Sequence, residues 1–136
     1  MKTTFYIGLD VHKAFTYYAV RDINGAIALE GKSSSIGKDL YEILEPYLHS
    51  CIIGLETNTE IYPIYEYFKE KSFDIRAGNT IQLRTLIGKN DRLDAKRLSD
   101  MLRLGSFLAK SAASMMSISI IGVPKGTANK ALQRKY

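Results

Sequence analysis

The stretch TTFYIGLDVHK, residues 3–13, opens with an apolar run over 3–9 that stops at a carboxylate, Asp10. The β-branched and aromatic residues of this run are typical of a strand. A second run of the same kind covers 15–20, and the Asn-Gly pair that follows at 24–25 is a favoured hairpin loop. Residues 26–32 are therefore predicted to return as a third strand, so that the chain begins with an antiparallel meander.

Helical and strand patterns alternate after the meander. Residues 38–48 repeat apolar side chains on one helical face, and the apolar run 51–55, which stops at Glu56, is typical of a buried parallel strand after a crossover helix. The further predicted elements are a helix over 60–71, a strand over 73–77, a helical turn over 79–87 and an amphipathic helix over 91–104 that Gly105 ends. The predicted fold class is α/β, a mixed sheet in the order βββαβαβα with helices packed on it.

Length and composition restrict the class of protein. With 136 residues, 46% of them hydrophobic, the chain is predicted to form one domain with its own core. A single cysteine, Cys51, excludes an internal disulfide framework and a multi-cysteine metal site, and it suits a reducing cytosol. The N-terminus lacks the apolar core of a signal peptide, and residues 112–123 are too short and serine-rich to span a bilayer. We therefore expect a cytoplasmic protein without a membrane partner.

The net charge of +5 belongs to one end of the chain. Residues 1–106 hold 14 basic and 14 acidic residues, whereas residues 107–136 hold five basic residues and no acid. We therefore predict a neutral domain over 1–106 and a basic, serine-rich tail over 107–136. Such a tail either attracts phosphate backbones or is a solvated terminus, and composition leaves both interpretations open.

Four acidic residues stand where a fold of this kind builds a site. Asp10 ends the first predicted strand and Glu56 the fourth, and these two strands can lie side by side, so both carboxylates would emerge at one edge of the sheet. Asp91 and Asp94 are three residues apart at the head of the last predicted helix, hence on one helix face. The sequence therefore predicts that the four carboxylates converge.

Converging carboxylates are stable as anions only beside a cation. Oxygen ligands without histidine or thiolate select Mg²⁺ or Mn²⁺, and two such ions can activate a water and stabilise the leaving oxygen in phosphodiester cleavage. Each acid also has a structural interpretation, Asp10 as a turn residue, Glu56 as a loop acid and Asp91 as a helix cap. The residues alone leave both open, and the functional interpretation is phosphoryl transfer on nucleic acid.

Three segments together resemble the RuvC-like DEDD transposases of bacterial insertion sequences: IGLDVHK at 7–13, GLET at 54–57 and KNDRLDAK at 89–96, followed by LRLG at 102–105. This family includes relatives of the pilin-gene DNA invertase, and some members are directed to their sites by a bridge RNA. The resemblance covers residues 4–106. It implies an RNase H-like (RuvC-like) fold in which the metal-binding acidic quartet is Asp10, Glu56, Asp91 and Asp94.

The resemblance also implies partners. DNA is the expected substrate, a structured guide RNA is a further candidate, and the chain is expected to form a homo-oligomer with itself or with full-length transposase. The basic residues expected to contact nucleic-acid phosphate are Lys13, Lys89, Arg92 and Lys96. Solvated helix-face charge is the alternative interpretation of the last three.

Family members carry a second, C-terminal domain that supplies a nucleophilic serine, and this chain is too short to hold it. We therefore expect a truncated transposase that takes part in DNA transposition but lacks complete strand transfer. Two other functions fit the same residues. One is a catalytically silent domain that binds nucleic acid and restrains transposition, and the other is a stand-alone RNase H-like or Holliday-junction-type nuclease. A fold alone does not separate the three.

Overall fold

The structure, a computed structural model, describes residues 4–87, 93–107 and 109. Five strands form one mixed sheet in the order β3-β2-β1-β4-β5, where β1 is antiparallel to β2 and parallel to β4. The strands are β1 (Phe5–Val11), β2 (Phe15–Arg21), β3 (Ile27–Ser34), β4 (Cys51–Glu56) and β5 (Ile75–Gly78). The helices are α1 (Gly37–Leu44), α2 (Tyr62–Glu70), α3 (Thr80–Ile87) and α4 (Ala95–Leu104). The predicted α/β class is confirmed, RNase H-like in that three antiparallel strands are followed by two parallel ones.

One face of the sheet holds the main hydrophobic core. Because side chains alternate along a strand, Ile7 and Leu9 of β1 point to the same face as their register partners on β4. They pack with the apolar faces of α1 and α2, and this core is fully buried at Ile7, Leu9, Leu40, Leu44, Ile53, Leu55, Ile64 and Phe68. Burying these side chains is the main favourable contribution to folding, at about 1.5–3 kcal/mol each.

The other face is covered by α4, and glycines make its close approach to the sheet possible. Gly8 of β1 stands in register with Gly54 of β4, beneath the helix. A Cβ at Gly8 would collide with the carbonyl oxygen of Ala95 and would lie 2.7 Å from the backbone nitrogen of Ser99. The backbone of α4 therefore rests directly on the backbone of β1, and the first turn of α4 is fixed beside the carboxyl end of that strand.

The start of α4 differs from the prediction of a helix over 91–104. The helix begins at Ala95, and Asp94 is its N-cap, with extended backbone (φ −104°, ψ −178°) and a carboxylate oxygen that accepts the N–H of Arg97 at 2.9 Å. Leu93, just before the cap, is buried in the same small cluster as Leu98, an arrangement that fixes the entry angle of the chain. The expectation that Asp91 and Asp94 share a helix face is therefore wrong for Asp94, while Asp91 lies outside the described residues.

Two further predictions concern the ends of elements and the tail. The first predicted helix, 38–48, is α1 followed by a 3₁₀ turn over Glu45–Ser50 with a proline in its first turn. Of the tail over 107–136, only Phe107 and Ala109 are described. Within the described parts of the chain, every helix is too short or too polar to cross a membrane.

The contact at Gly8 yields a stability prediction. Gly8→Ala should lower the free energy of unfolding by about 1–3 kcal/mol, because the added methyl group meets backbone atoms that cannot move without shifting α4. Gly54→Ala is the matched control, since its methyl group would meet the side-chain ends of Leu102 and Phe107, each at 2.9 Å, which can rotate. Urea denaturation measures both, and equal losses in the two variants would contradict the packing described.

Candidate active site

Asp10 and Glu56 lie at the carboxyl ends of two adjacent parallel strands. The register of β1 and β4 runs up to the pair Leu9 and Leu55, and the two acids follow immediately. Since side chains alternate, both acids share the sheet face of Gly8 and Gly54, which is the face that α4 covers. Both line one cavity of about 400 Å³. The structure thus brings together two residues that are 46 positions apart in the sequence.

Glu56 is held by an arginine from α3. The Arg84 Nε donates to Oε2 of Glu56 at 3.1 Å, and its Nη2 donates to Oε1 at 3.4 Å. The carboxylate side chain is only 16% exposed, whereas the guanidinium side chain is 54% exposed. The start of α3 is tied to the end of β4, because the hydroxyl of Thr80 donates to the carbonyl of Thr57 at 3.0 Å. The positive charge of Arg84 therefore balances the largely buried carboxylate.

Asp10 is paired with a histidine from the turn that follows β1. The His12 Nε2 lies 3.3 Å from Oδ1 of Asp10, and the imidazole ring stacks on Phe15 with ring centroids 4.7 Å apart. The Asp10 side chain is 17% exposed. His12 thus orients toward the carboxylate while its ring is fixed by an aromatic neighbour on β2.

Asp94 and Asp10 border a common cavity. These two acids line a second cavity, of about 390 Å³, together with residues of β2 and β3 and the first turn of α4. Asp10 therefore borders both cavities, one shared with Glu56 and one shared with Asp94. Three of the four predicted acids thus border these two cavities, although neither cavity is lined by all three, and Asp91 lies outside the described residues.

The chemistry of these donors fits a hard cation, although their present arrangement is not a completed metal site. Carboxylate oxygens of Asp10, Glu56 and Asp94 are the ligands that Mg²⁺ and Mn²⁺ prefer. Among residues 4–87, 93–107 and 109, no three His, Cys, Asp or Glu side chains stand close enough to hold one ion. The carboxylate oxygens of Glu56 and Asp10 are instead contacted by Arg84 and His12.

Two of the four predicted basic residues, Lys13 and Lys96, line the two cavities. Lys13 is exposed and lines the cavity shared by Asp10 and Glu56. Lys96 is exposed and lines the second cavity, where its Nζ lies 3.8 Å from Glu30. Lys89 and Arg92 lie outside the described residues.

Two residues that contact the acids, His12 and Arg84, were given no role in the sequence analysis. His12 could have been suspected, because residues two apart at the end of a strand share a face, and Asp10 and His12 have this spacing. Arg84 could not have been suspected, because its contact with Glu56 joins positions 28 residues apart and depends on where α3 lies relative to the sheet.

Two residues with shifted pKa values are Cys51, where β4 begins, and Arg76 on β5. Burial, with a smaller contribution from the negative charge of Asp74, raises the pKa of the Cys51 thiol to about 11. The hydrogen bond to Asp74 raises the pKa of Arg76. Cys51 is therefore a protonated, poorly nucleophilic thiol at neutral pH, and it takes no part in the candidate site.

The chain is similar to known proteins in structure and not in sequence. No protein-family model matches the chain, and no curated protein matches its sequence. Among solved structures, the large terminase nuclease from thermophilic phage G20c is similar with 17% identity and a TM-score of 0.48, over 82% of this chain and 61% of that one. T. thermophilus RuvC in complex with Holliday junction substrate is similar with 10% identity and a TM-score of 0.47, over 81% of this chain and 100% of that one. At these values, nothing about the chemistry of this chain follows from either likeness.

Substitutions of Asp94, the N-cap of α4, can distinguish a role in metal binding from a role in capping the helix. Asp94→Asn should lower Mn²⁺ affinity by about tenfold, because it removes one anionic oxygen from the site. It should change the free energy of unfolding by about 0.5 kcal/mol or less, because asparagine caps a helix as well as aspartate does, whereas Asp94→Ala should cost about 1 kcal/mol. Calorimetric titration and urea denaturation measure the two effects. Unchanged Mn²⁺ affinity in both variants would show that Asp94 caps the helix and does not bind the metal.

Removing the ion pair between Arg84 and Glu56 should raise Mn²⁺ affinity rather than lower it. Arg84→Gln should raise Mn²⁺ affinity by about fivefold, because the half-exposed guanidinium, in an ion pair worth about 1 kcal/mol, no longer competes for Glu56. Arg76→Gln, which breaks the ion pair with Asp74 away from the site, is the control and should leave Mn²⁺ affinity unchanged. Weaker Mn²⁺ binding to Arg84→Gln would show that Arg84 supports the site rather than competing with a cation.

Proposed function

We propose that this chain carries the metal-dependent nuclease domain of a DEDD-type transposase, which cleaves or transfers phosphodiester bonds in DNA. The proposed ligands of Mg²⁺ or Mn²⁺ are Asp10, Glu56, Asp91 and Asp94, and two ions are proposed. A structured guide RNA and a homo-oligomer remain part of this proposal through the resemblance of the sequence.

One observation carries the proposal. Asp10 and Glu56 end adjacent parallel strands on the same sheet face, and the packing of α4 on Gly8 brings Asp94 to the other side of Asp10. The side chains of Glu56 and Asp10 are only 16% and 17% exposed, and Arg84 and His12 contact their carboxylate oxygens.

Each residue of the site has a proposed task. Bound by these carboxylates, Mg²⁺ would lower the pKa of an attacking water and stabilise the leaving oxygen of the phosphodiester. Asp10 borders both cavities and would therefore hold the centre of the site. Glu56 and Asp94 would hold its two sides, and Lys13 and Lys96 would attract the phosphates of the incoming strand.

Cleavage assays test the proposal. The chain is incubated with branched DNA, an RNA–DNA hybrid and plain duplex DNA in Mg²⁺ or Mn²⁺. Cleavage of DNA is expected, with a loss of about 100-fold or more in Asp10→Asn and Glu56→Gln, because a metal-assisted step contributes several kcal/mol. Glu42→Gln is the matched control, since Glu42 is an exposed acid on α1, on the opposite side of the sheet. The substrate preference separates a transposase domain from a junction or hybrid nuclease, and no cleavage of any substrate would overturn the proposal.

A second function has an observation in its favour. Arg84 and His12 contact the carboxylates, and the described residues hold no cluster of three metal ligands. These contacts favour a catalytically silent domain that binds nucleic acid and restrains transposition. Salt-dependent DNA binding in EDTA, together with no cleavage in Mg²⁺ or Mn²⁺, would support this function over the first.

A further inference from the structure

A group of aromatic rings and a lysine continues the sheet surface beyond the head of α4. We call His12, Phe15, Tyr17 and Lys32 the aromatic patch. Tyr17 is the register partner of Asp10 on β2, and Lys32 is the register partner of Tyr17 on β3, so these side chains share the sheet face of the candidate site. Cα atoms of residues paired in this way are about 4.5–5.5 Å apart, and the patch therefore borders Asp10 directly.

The contacts within the patch leave one ring available. Phe15 packs against His12, with ring centroids 4.7 Å apart. The Nζ of Lys32 lies 4.9 Å from the ring centroid of Phe15 and 5.9 Å from that of Tyr17. Tyr17 meets Phe15 and His12 at nearly perpendicular ring angles, 78° and 90°. Its side chain stays 41% exposed, although large aromatic rings in strands usually bury more of their surface against a core. The neighbours thus fix the orientation of Tyr17 and leave part of its ring exposed.

The cavity next to Tyr17 connects the patch with the acids. It measures about 390 Å³, and its charged and aromatic lining includes Asp10, Tyr17, Glu30, Lys32, Asp94 and Lys96, the last of which lies 3.8 Å from Glu30. It combines an aromatic ring, two exposed ammonium groups and the carboxylates proposed to bind metal. A nucleotide has the matching chemistry, since its base stacks on an aromatic ring and its phosphate attracts a lysine.

We infer that Tyr17 stacks on an unpaired base of single-stranded nucleic acid next to the candidate site, and that Lys32 attracts the adjoining phosphate. The class of ligand rests on the proposed function. An unpaired base fits better than a duplex, because bases inside a duplex are covered by their neighbours and offer no free ring face. Tyr17 would thus hold the strand next to the scissile phosphate and would favour DNA that is locally unpaired.

Binding without metal tests the inference independently of cleavage. In EDTA at low salt, fluorescence anisotropy compares a labelled single-stranded oligodeoxyadenylate with a duplex of equal length. The single strand should bind more tightly, and Tyr17→Thr should weaken its binding by about 5- to 150-fold, the effect of losing one stacked base. Tyr17→Phe keeps the ring and should stay within about twofold of the unaltered chain. Lys32→Gln should make the slope of log affinity against log salt concentration shallower, by the amount that about one phosphate contact contributes.

Two controls keep the test falsifiable. Lys69→Gln removes another lysine that contacts a tyrosine ring, on α2, and should leave single-strand binding unchanged. The chain has no tryptophan, so Tyr17→Trp introduces a single indole whose fluorescence should be quenched by the single strand and not by the duplex. Unaltered single-strand affinity in a folded Tyr17→Thr variant, or no single-strand binding at all, would overturn the inference. Stacking on Tyr17 without any cleavage would instead retain it while the proposed nuclease function fails.

Discussion

The direct contact between the backbone of α4 and the backbone of β1 at Gly8 is the constraint on which the site depends. Any side chain at this position would meet the carbonyl oxygen of Ala95, so only glycine allows the helix to lie this close. The closeness sets where the helix begins relative to the strand. Asp94, the N-cap, therefore comes to border the same cavity as Asp10, and the arrangement of carboxylates follows from a packing requirement.

Two side-chain contacts then fix the carboxylates of Glu56 and Asp10. The side chains of Glu56 and Asp10 are mostly buried. Arg84 on α3 contacts the first and His12 in the turn after β1 contacts the second. A divalent cation would compete for the same oxygens, which links the metal affinity of the proposed site to two side chains outside the acidic quartet. The aromatic patch extends this site across β2 and β3, where Tyr17 stands beside Asp10.

Much of the fold could be predicted because its signals are local. The run that ends at Glu56 is short, apolar and followed by polar residues, as a buried parallel strand requires, and the structure places β4 there. The start of α4 was misplaced for an instructive reason. Leu93 continues the helical spacing of apolar residues and is buried in the same cluster as Leu98, yet it precedes the cap and lies outside the helix. Hydrophobic spacing reports which side chains are buried, and it does not report the backbone conformation at the first turn.

The sequence by itself determined the order of the elements, the class of the sheet and the identity of the acids at the ends of β1 and β4, because strand and helix periodicities and the residues that end them are properties of neighbouring positions. Only the tertiary structure decided that Arg84 balances Glu56, that Asp94 caps α4 beside Asp10 and that Tyr17 stands exposed in register with Asp10. These relations join positions far apart in the chain, and they depend on strand register and on the distance at which a helix can pack on a sheet, which local sequence patterns do not encode.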